Sequence, residues 1–173
     1  MKYEERGKNM KEEIKKHQSS IANVDANIMA LLTYIGGAIL AFVPGLKFFS
    51  WAVPLVIYFL EKKSDFVKKH AVQSISLNIV SSIFMFIIVI VLGGIISSFS
   101  NPYYYGSGLA GLALVGLLST ILGIIVLIVV IIASVKAYNY KSYTIPLLGK
   151  LNSAVDKILS KIAKANNKES NKS

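Results

Sequence analysis

HAVQSISLNIVSSIFMFIIVIVLGGIISSFSNPYYYGSGLAGLALVGLLSTILGIIVLIVVIIASV, residues 70–135, contains no Asp, Glu, Lys or Arg, and lysines crowd both of its ends. A soluble surface of that length needs charges to stay in solution. A charge at the centre of a bilayer costs ~2.5–3.5 kcal/mol on insertion scales. The stretch therefore reads as two membrane spans around a turn.

Composition agrees. The chain has 173 residues, 54% hydrophobic and 16% charged, with a mean hydropathy of +0.57, where a soluble domain carries about 25% charged residues. The length suits one domain. Cysteine is absent, which excludes disulfides, thiolate metal sites and a cysteine nucleophile. His17 and His70 are too far apart for a zinc motif. The net charge of +10 does not point to nucleic acid, because the basic residues flank apolar segments and the aromatics lie mostly inside those segments. No cleavable signal peptide is expected: the first apolar run starts only near Ala26, after mixed charges.

Residues 1–20 read as a polar, disordered cytoplasmic tail. A membrane domain over 21–146 then has apolar segments at about 26–43, 48–60, 72–99 and 109–135. Asn23 or Asp25 is placed to cap the first segment, and Pro44-Gly45 ends it. The second is short for a ~30 Å hydrocarbon core, and Pro54 should kink it or loosen its first turns. The first pair is thus either two short tilted spans or a re-entrant hairpin. Glu61 to His70 forms a charged loop, and Ser100 to Gly108 an uncharged one whose tyrosines suit an interface. After Ile145-Pro146, the residues Leu148, Leu151, Val155, Ile158, Leu159 and Ile162 recur at helical spacing, so 147–164 reads as a basic amphipathic helix on the membrane surface. Its Lys150, Lys157, Lys161 and Lys164 would meet anionic lipid headgroups; docking on the protein body is the other option. Residues 165–173 read as a disordered tail. The fold class is all-α: an integral membrane four-helix bundle, with two short helices as a hairpin and two long spans, plus the C-terminal amphipathic helix. Lysine-rich tails and the 61–70 loop place both termini in the cytoplasm.

His70, Ser74, Asn78 and Ser82 recur at i,i+4 with Gln73 beside them, so one side of the third segment is polar for about three turns. Polar groups do not face lipid unsatisfied, and the stripe is either the lining of a conduit or pocket, or interhelical glue. Small residues at Gly37, Gly93, Gly94, Gly116, Ser119 and Gly123 mark candidate helix-packing positions, within the chain or between copies. No catalytic triad, paired carboxylate, phosphate loop or metal motif is present, so no enzyme, cofactor or metal is expected.

The segment Asp65-Phe66-Val67-Lys68-Lys69-His70-Ala71-Val72-Gln73-Ser74 resembles the loop-to-helix motif of a prokaryotic four-helix membrane domain of unknown function. That domain is similar to the twenty-kilodalton subunit of the chloroplast inner-envelope import machinery (Tic20-like). Phe66, Val67, His70, Ala71, Gln73 and Asn78 match; Ser76 departs from the pattern. Lys136-Ala137 and Tyr143-Thr144-Ile145-Pro146-Leu147 resemble the family's exit from its last helix. The resemblance covers about residues 25–150 and implies a prokaryotic multi-pass cell-membrane protein, by analogy a translocation- or channel-type component. The other reading is a non-conducting scaffold that binds membrane partners or further copies of itself.

Overall fold

A computed structural model describes residues 14–43, 46, 49–98, 105–145 and 147–170. Among these, all regular structure is helical: α1 (Ala26–Phe42), α2 (Ala52–Leu60), α3 (Asp65–Ser98), α4 (Tyr105–Tyr138) and α5 (Gly149–Ser170). Two of them, α3 and α4, are long and apolar enough to cross a bilayer.

Local chemistry explains where the helices differ from the expected segments. α2 begins at Ala52 rather than near residue 48, which places Pro54 in its first turn. There the missing N–H has no intrahelical acceptor to lose, so the proline starts the helix instead of kinking it. α3 begins at Asp65, within the expected charged loop, because Ser64 caps it: its hydroxyl accepts from Val67 N–H at 3.2 Å. Asp65 in the first turn also suits the helix dipole. At the start of α1, Asp25 holds the N-cap position but its side chain makes no capping bond; its backbone carbonyl accepts from Ile28 and Met29 instead. α4 closes through a left-handed residue, Tyr140, with Lys141 N–H bonded to Lys136 carbonyl at 2.9 Å and Tyr140 N–H to Ala137 carbonyl at 3.1 Å.

The expected disordered tail is ordered from Ile14 onward. Residues 17–26 fold into a small antiparallel turn with a Gln18–Asp25 bridge. Ala22 and Asn23 both have positive φ, as a tight two-residue turn demands. At the other end, α5 runs to Ser170, so residues 165–170 are helical as well. The tip residues Pro44, Gly45, Lys47 and Phe48, the first part of the expected outer loop and residues 1–13 and 171–173 lie outside the described residues.

α1 packs between the bases of α3 and α4. Ala26 and Ala30 on α1, and Ala133 and Ala137 on α4, are fully buried in one cluster with Met29, Tyr34, Phe66 and Val67. Alanines four apart on both helices let the backbones approach closely. Gly37 makes a second close approach: a Cβ there would stand 2.9 Å from the Ser50 carbonyl oxygen. By contrast, a Cβ on Gly93, Gly94, Gly116 or Gly123 would meet nothing within 4 Å. Among the described residues Gly37 therefore has a close neighbour within the chain, and the alanine pairs bring α1 and α4 together.

The register is set by two contacts. Ser74 bonds the Thr33 carbonyl, and Asn78 lies against Gly37. α1 therefore runs parallel to α3, and its last residue is level with about residue 83 of α3. From there α3 continues for about another 22 Å at 1.5 Å per residue, as an exposed apolar pair with α4: Phe84, Phe86, Ile90, Leu112 and Leu117 are all more than half exposed.

α5 does not spend its apolar face on a surface. Val155 and Leu159 are buried against Tyr58, Ala71, Val72 and Ile75, Leu148 against Leu77, and Asp156 accepts from the Tyr58 hydroxyl at 3.3 Å. The helix thus runs back along the α2/α3 flank, with Lys150, Lys157, Lys161 and Lys164 exposed on the opposite side. Ile158 and Ile162 remain partly exposed, at 58% and 44%.

Replacing Gly37 by Ala should destabilise the hairpin, because a backbone oxygen cannot move aside as a side chain can. Gly93→Ala should be neutral or stabilising by up to ~1 kcal/mol from helix propensity. Thermal unfolding of the two variants in the same detergent reads the difference; equal losses would contradict it.

Candidate functional site

The polar side of α3 meets α1. His70 Nδ1 lies 2.9 Å from the Tyr34 hydroxyl, the two rings edge to face at 5.7 Å. Ser74 Oγ donates to the Thr33 carbonyl at 2.8 Å. Ser50, just before α2, donates to Asn78 Oδ1 at 2.9 Å, while Asn78 Nδ2 donates to the Ser74 carbonyl at 2.9 Å. Of the six candidate residues, His70, Ser74 and Asn78 therefore share one seam and bond across it. Gln73 is buried, but its Nε2 has no partner. Phe66 lies one turn below His70 and stacks on Tyr140 at 5.6 Å and 21°, with its edge also against His70 at 4.6 Å. This stacking accounts for a tyrosine in the left-handed position that ends α4, where glycine is the unstrained choice.

Ser82 lies beyond the seam, where α1, α3 and α4 enclose a cavity of about 220 Å³. Ser50, Ser74, Asn78, Ser81, Ser82 and Ser119 supply its polar wall. Leu77, Met85, Leu122, Val126 and Leu127 supply much of the rest, and no charged residue lines it.

A second polar centre lies where α2 closes and α3 begins and had no place among the candidates. Glu61 closes α2 and is only 1% exposed. Its carboxylate accepts from the Ser19 hydroxyl, the Ser20 hydroxyl at 2.8 Å and the N–H groups of Ser20, Lys63 and Ser64 at 3.1, 2.8 and 2.9 Å. Burial alone pushes this carboxyl up; the hydrogen bonds from Ser19, Lys63, Ser64 and Ser20 outweigh it and lower the pKa from 4.5 to about 2. His17 extends the clasp, with Nε2 2.7 Å from Ser64 Oγ. The legible hint was a lone acid at the end of an apolar run, followed by Lys-Lys-Ser; the Lys63 and Ser64 donors are local, but Ser19 and Ser20 come from about 40 residues upstream and left no local signal. Among the described residues, no group of three or more His, Asp or Glu side chains stands close enough to hold a metal ion.

Glu61 is depressed in the folded state, so its stabilisation is complete above pH 4.5 and fades as pH falls toward 2. Glu61→Gln should cost ~2 kcal/mol of docking for residues 17–26 and abolish that acid dependence. Hydrogen exchange at the Ser19 and Val24 amides measures both; an unchanged acid profile in the variant would rule out the assignment.

A family model, MamF_MmsF, described as the magnetosome magnetite crystal formation protein family, matches residues 25–151, well over half of the chain. No curated protein and no solved structure matches it. The comparisons give no support for similarity to the chloroplast import component.

Proposed function

The chain belongs to the magnetosome magnetite crystal formation protein family, a bacterial membrane family, and on that premise we propose that it is a multi-pass scaffold in a bacterial membrane, contributing to magnetite crystal formation without conducting and without catalysis. The observation that carries this reading is the division of α3. Its inner turns are buried and hydrogen-bonded to their neighbours, while its outer turns, and those of α4, expose aliphatic and aromatic side chains on successive residues. Core helices of soluble domains hide such residues, and exposed apolar patches of this extent are rare on soluble monomers. Lipid supplies the missing cover.

The register supports a topology within this reading. α3 and α4 cross the bilayer. α1 and α2 enter from the inner face and return to it as a re-entrant hairpin, because their tip stops about 22 Å short of the outer end of α3. Lys62, Lys63, Lys69 and Lys141 are exposed near the end where α2 closes and α4 finishes, which puts both termini in the cytoplasm by the positive-inside rule. The polar seam supports glue over conduit: His70, Ser74 and Asn78 find partners inside the chain, so these three groups are not left to line a path for an ion or peptide. No described lysine on α5 forms an ion pair, and this outward basic side of α5 is the surface offered to anionic headgroups.

The absence of cysteine makes single-cysteine labelling direct. In intact cells, Leu46→Cys and Phe49→Cys at the hairpin tip should resist a membrane-impermeant maleimide that labels Ser100→Cys, and Lys62→Cys should react only after permeabilisation. Labelling of the tip variants as fast as Ser100→Cys would replace the hairpin by two further crossings. For the inner face, the triple change Lys157→Glu, Lys161→Glu and Lys164→Glu should lower the number of phosphatidylglycerol molecules retained in native mass spectrometry, with folding intact. Unchanged retention would remove the lipid role of α5.

A further inference from the structure

We infer that the cavity beneath the hairpin tip is a binding site for the neutral, oxygen-bearing head of a membrane-soluble amphiphile, a long-chain alcohol being the simplest case. The inference rests on the membrane reading above. The cavity's volume of about 220 Å³ equals about seven waters at ~30 Å³ each, which suits a polar head rather than a whole lipid. No charged residue lines it, and placing a carboxylate, phosphate or ammonium there would leave that charge uncompensated in a low-dielectric site.

The wall is built to meet oxygen. Ser50, Ser74 and Ser81 spend their hydroxyls on acceptors within the chain. Ser119, on the facing helix, is different: its Oγ is buried with no partner. A buried hydroxyl left unmatched is destabilising, and a ligand hydroxyl or ether oxygen would satisfy it. Ser82 lines the same space and makes no hydrogen bond among the described residues. Four residues along α4 from Ser119, Gly123 lines the cavity too, and a Cβ there would meet nothing within 4 Å. Here the glycine keeps a space open rather than letting two helices touch. The long pair α3–α4 continues past the tip, so an apolar chain attached to the head has hydrocarbon beside it to lie in.

Trp51, the chain's single tryptophan, follows the cavity-lining Ser50 and reports on the site without labelling. The full chain in phosphatidylcholine vesicles is titrated with a long-chain alcohol bearing a bromine, which quenches tryptophan on contact. Wild type should show saturable quenching. Gly123→Leu should abolish the saturable part by filling the space, and Ser119→Ala, which keeps the shape, should weaken binding about tenfold, equivalent to ~1.4 kcal/mol. The corresponding brominated carboxylate should give only the linear quenching of simple partition. Linear quenching by the alcohol, equal in wild type and both variants, overturns the site, as does saturation by the carboxylate with equal affinity. Lipids brominated along their acyl chains test the premise separately: they should quench Trp51 in unliganded wild type, and if they do not, the membrane reading fails and takes the site with it.

Discussion

Polar groups buried in an apolar helix bundle have to find partners inside the chain, and the seam between α1 and α3 is where this one does so. Tyr34 with His70, the Thr33 carbonyl with Ser74, and Ser50 with Asn78 are spaced one turn apart, and sliding either helix by a turn would orphan them together. Each orphan would cost about 1–3 kcal/mol. That penalty fixes α1 parallel to α3, places Gly37 and Ser50 beside Asn78, and so determines where the bundle ends and the bare α3–α4 pair begins. The cavity is a consequence of the same register: three helices meet at the tip, but only two continue beyond it.

The inner end is held by different physics. Glu61 gathers donors from the N-terminal turn and from the start of α3, and the rings of His17, Phe66, His70 and Tyr140 pack edge and face around the base of α3. Together these tie four stretches of chain to one point. α5 completes the arrangement by covering the α2/α3 flank, which leaves its lysines outward. The molecule therefore has one hydrogen-bonded, basic end and one apolar end, the division on which the proposed membrane scaffold rests. The family is described as one of magnetite crystal formation, and the proposed scaffold would act from within the bilayer.

The sequence by itself determined the class and the elements. The charge-free run from His70 to Val135 determined two long apolar helices, because charges are excluded from hydrocarbon whatever the fold. The i,i+4 recurrence of His70, Ser74 and Asn78 determined that one side of α3 would be polar, and the periodic leucines and valines after Pro146 determined an amphipathic α5. Only the tertiary structure decided what those faces touch. Whether a serine lines a channel or bonds the Thr33 carbonyl depends on which helix stands opposite; whether Val155 and Leu159 meet lipid or Tyr58 depends on how the chain turns after the left-handed Tyr140. Glu61 was hard to read as a centre because Ser19 and Ser20 lie far away in sequence, and Gly37 meets a neighbour within the chain while Gly123 lines a cavity, since a bare backbone serves equally to admit a neighbour or to leave room for none. Periodicity is a property of one helix; contact is a property of two.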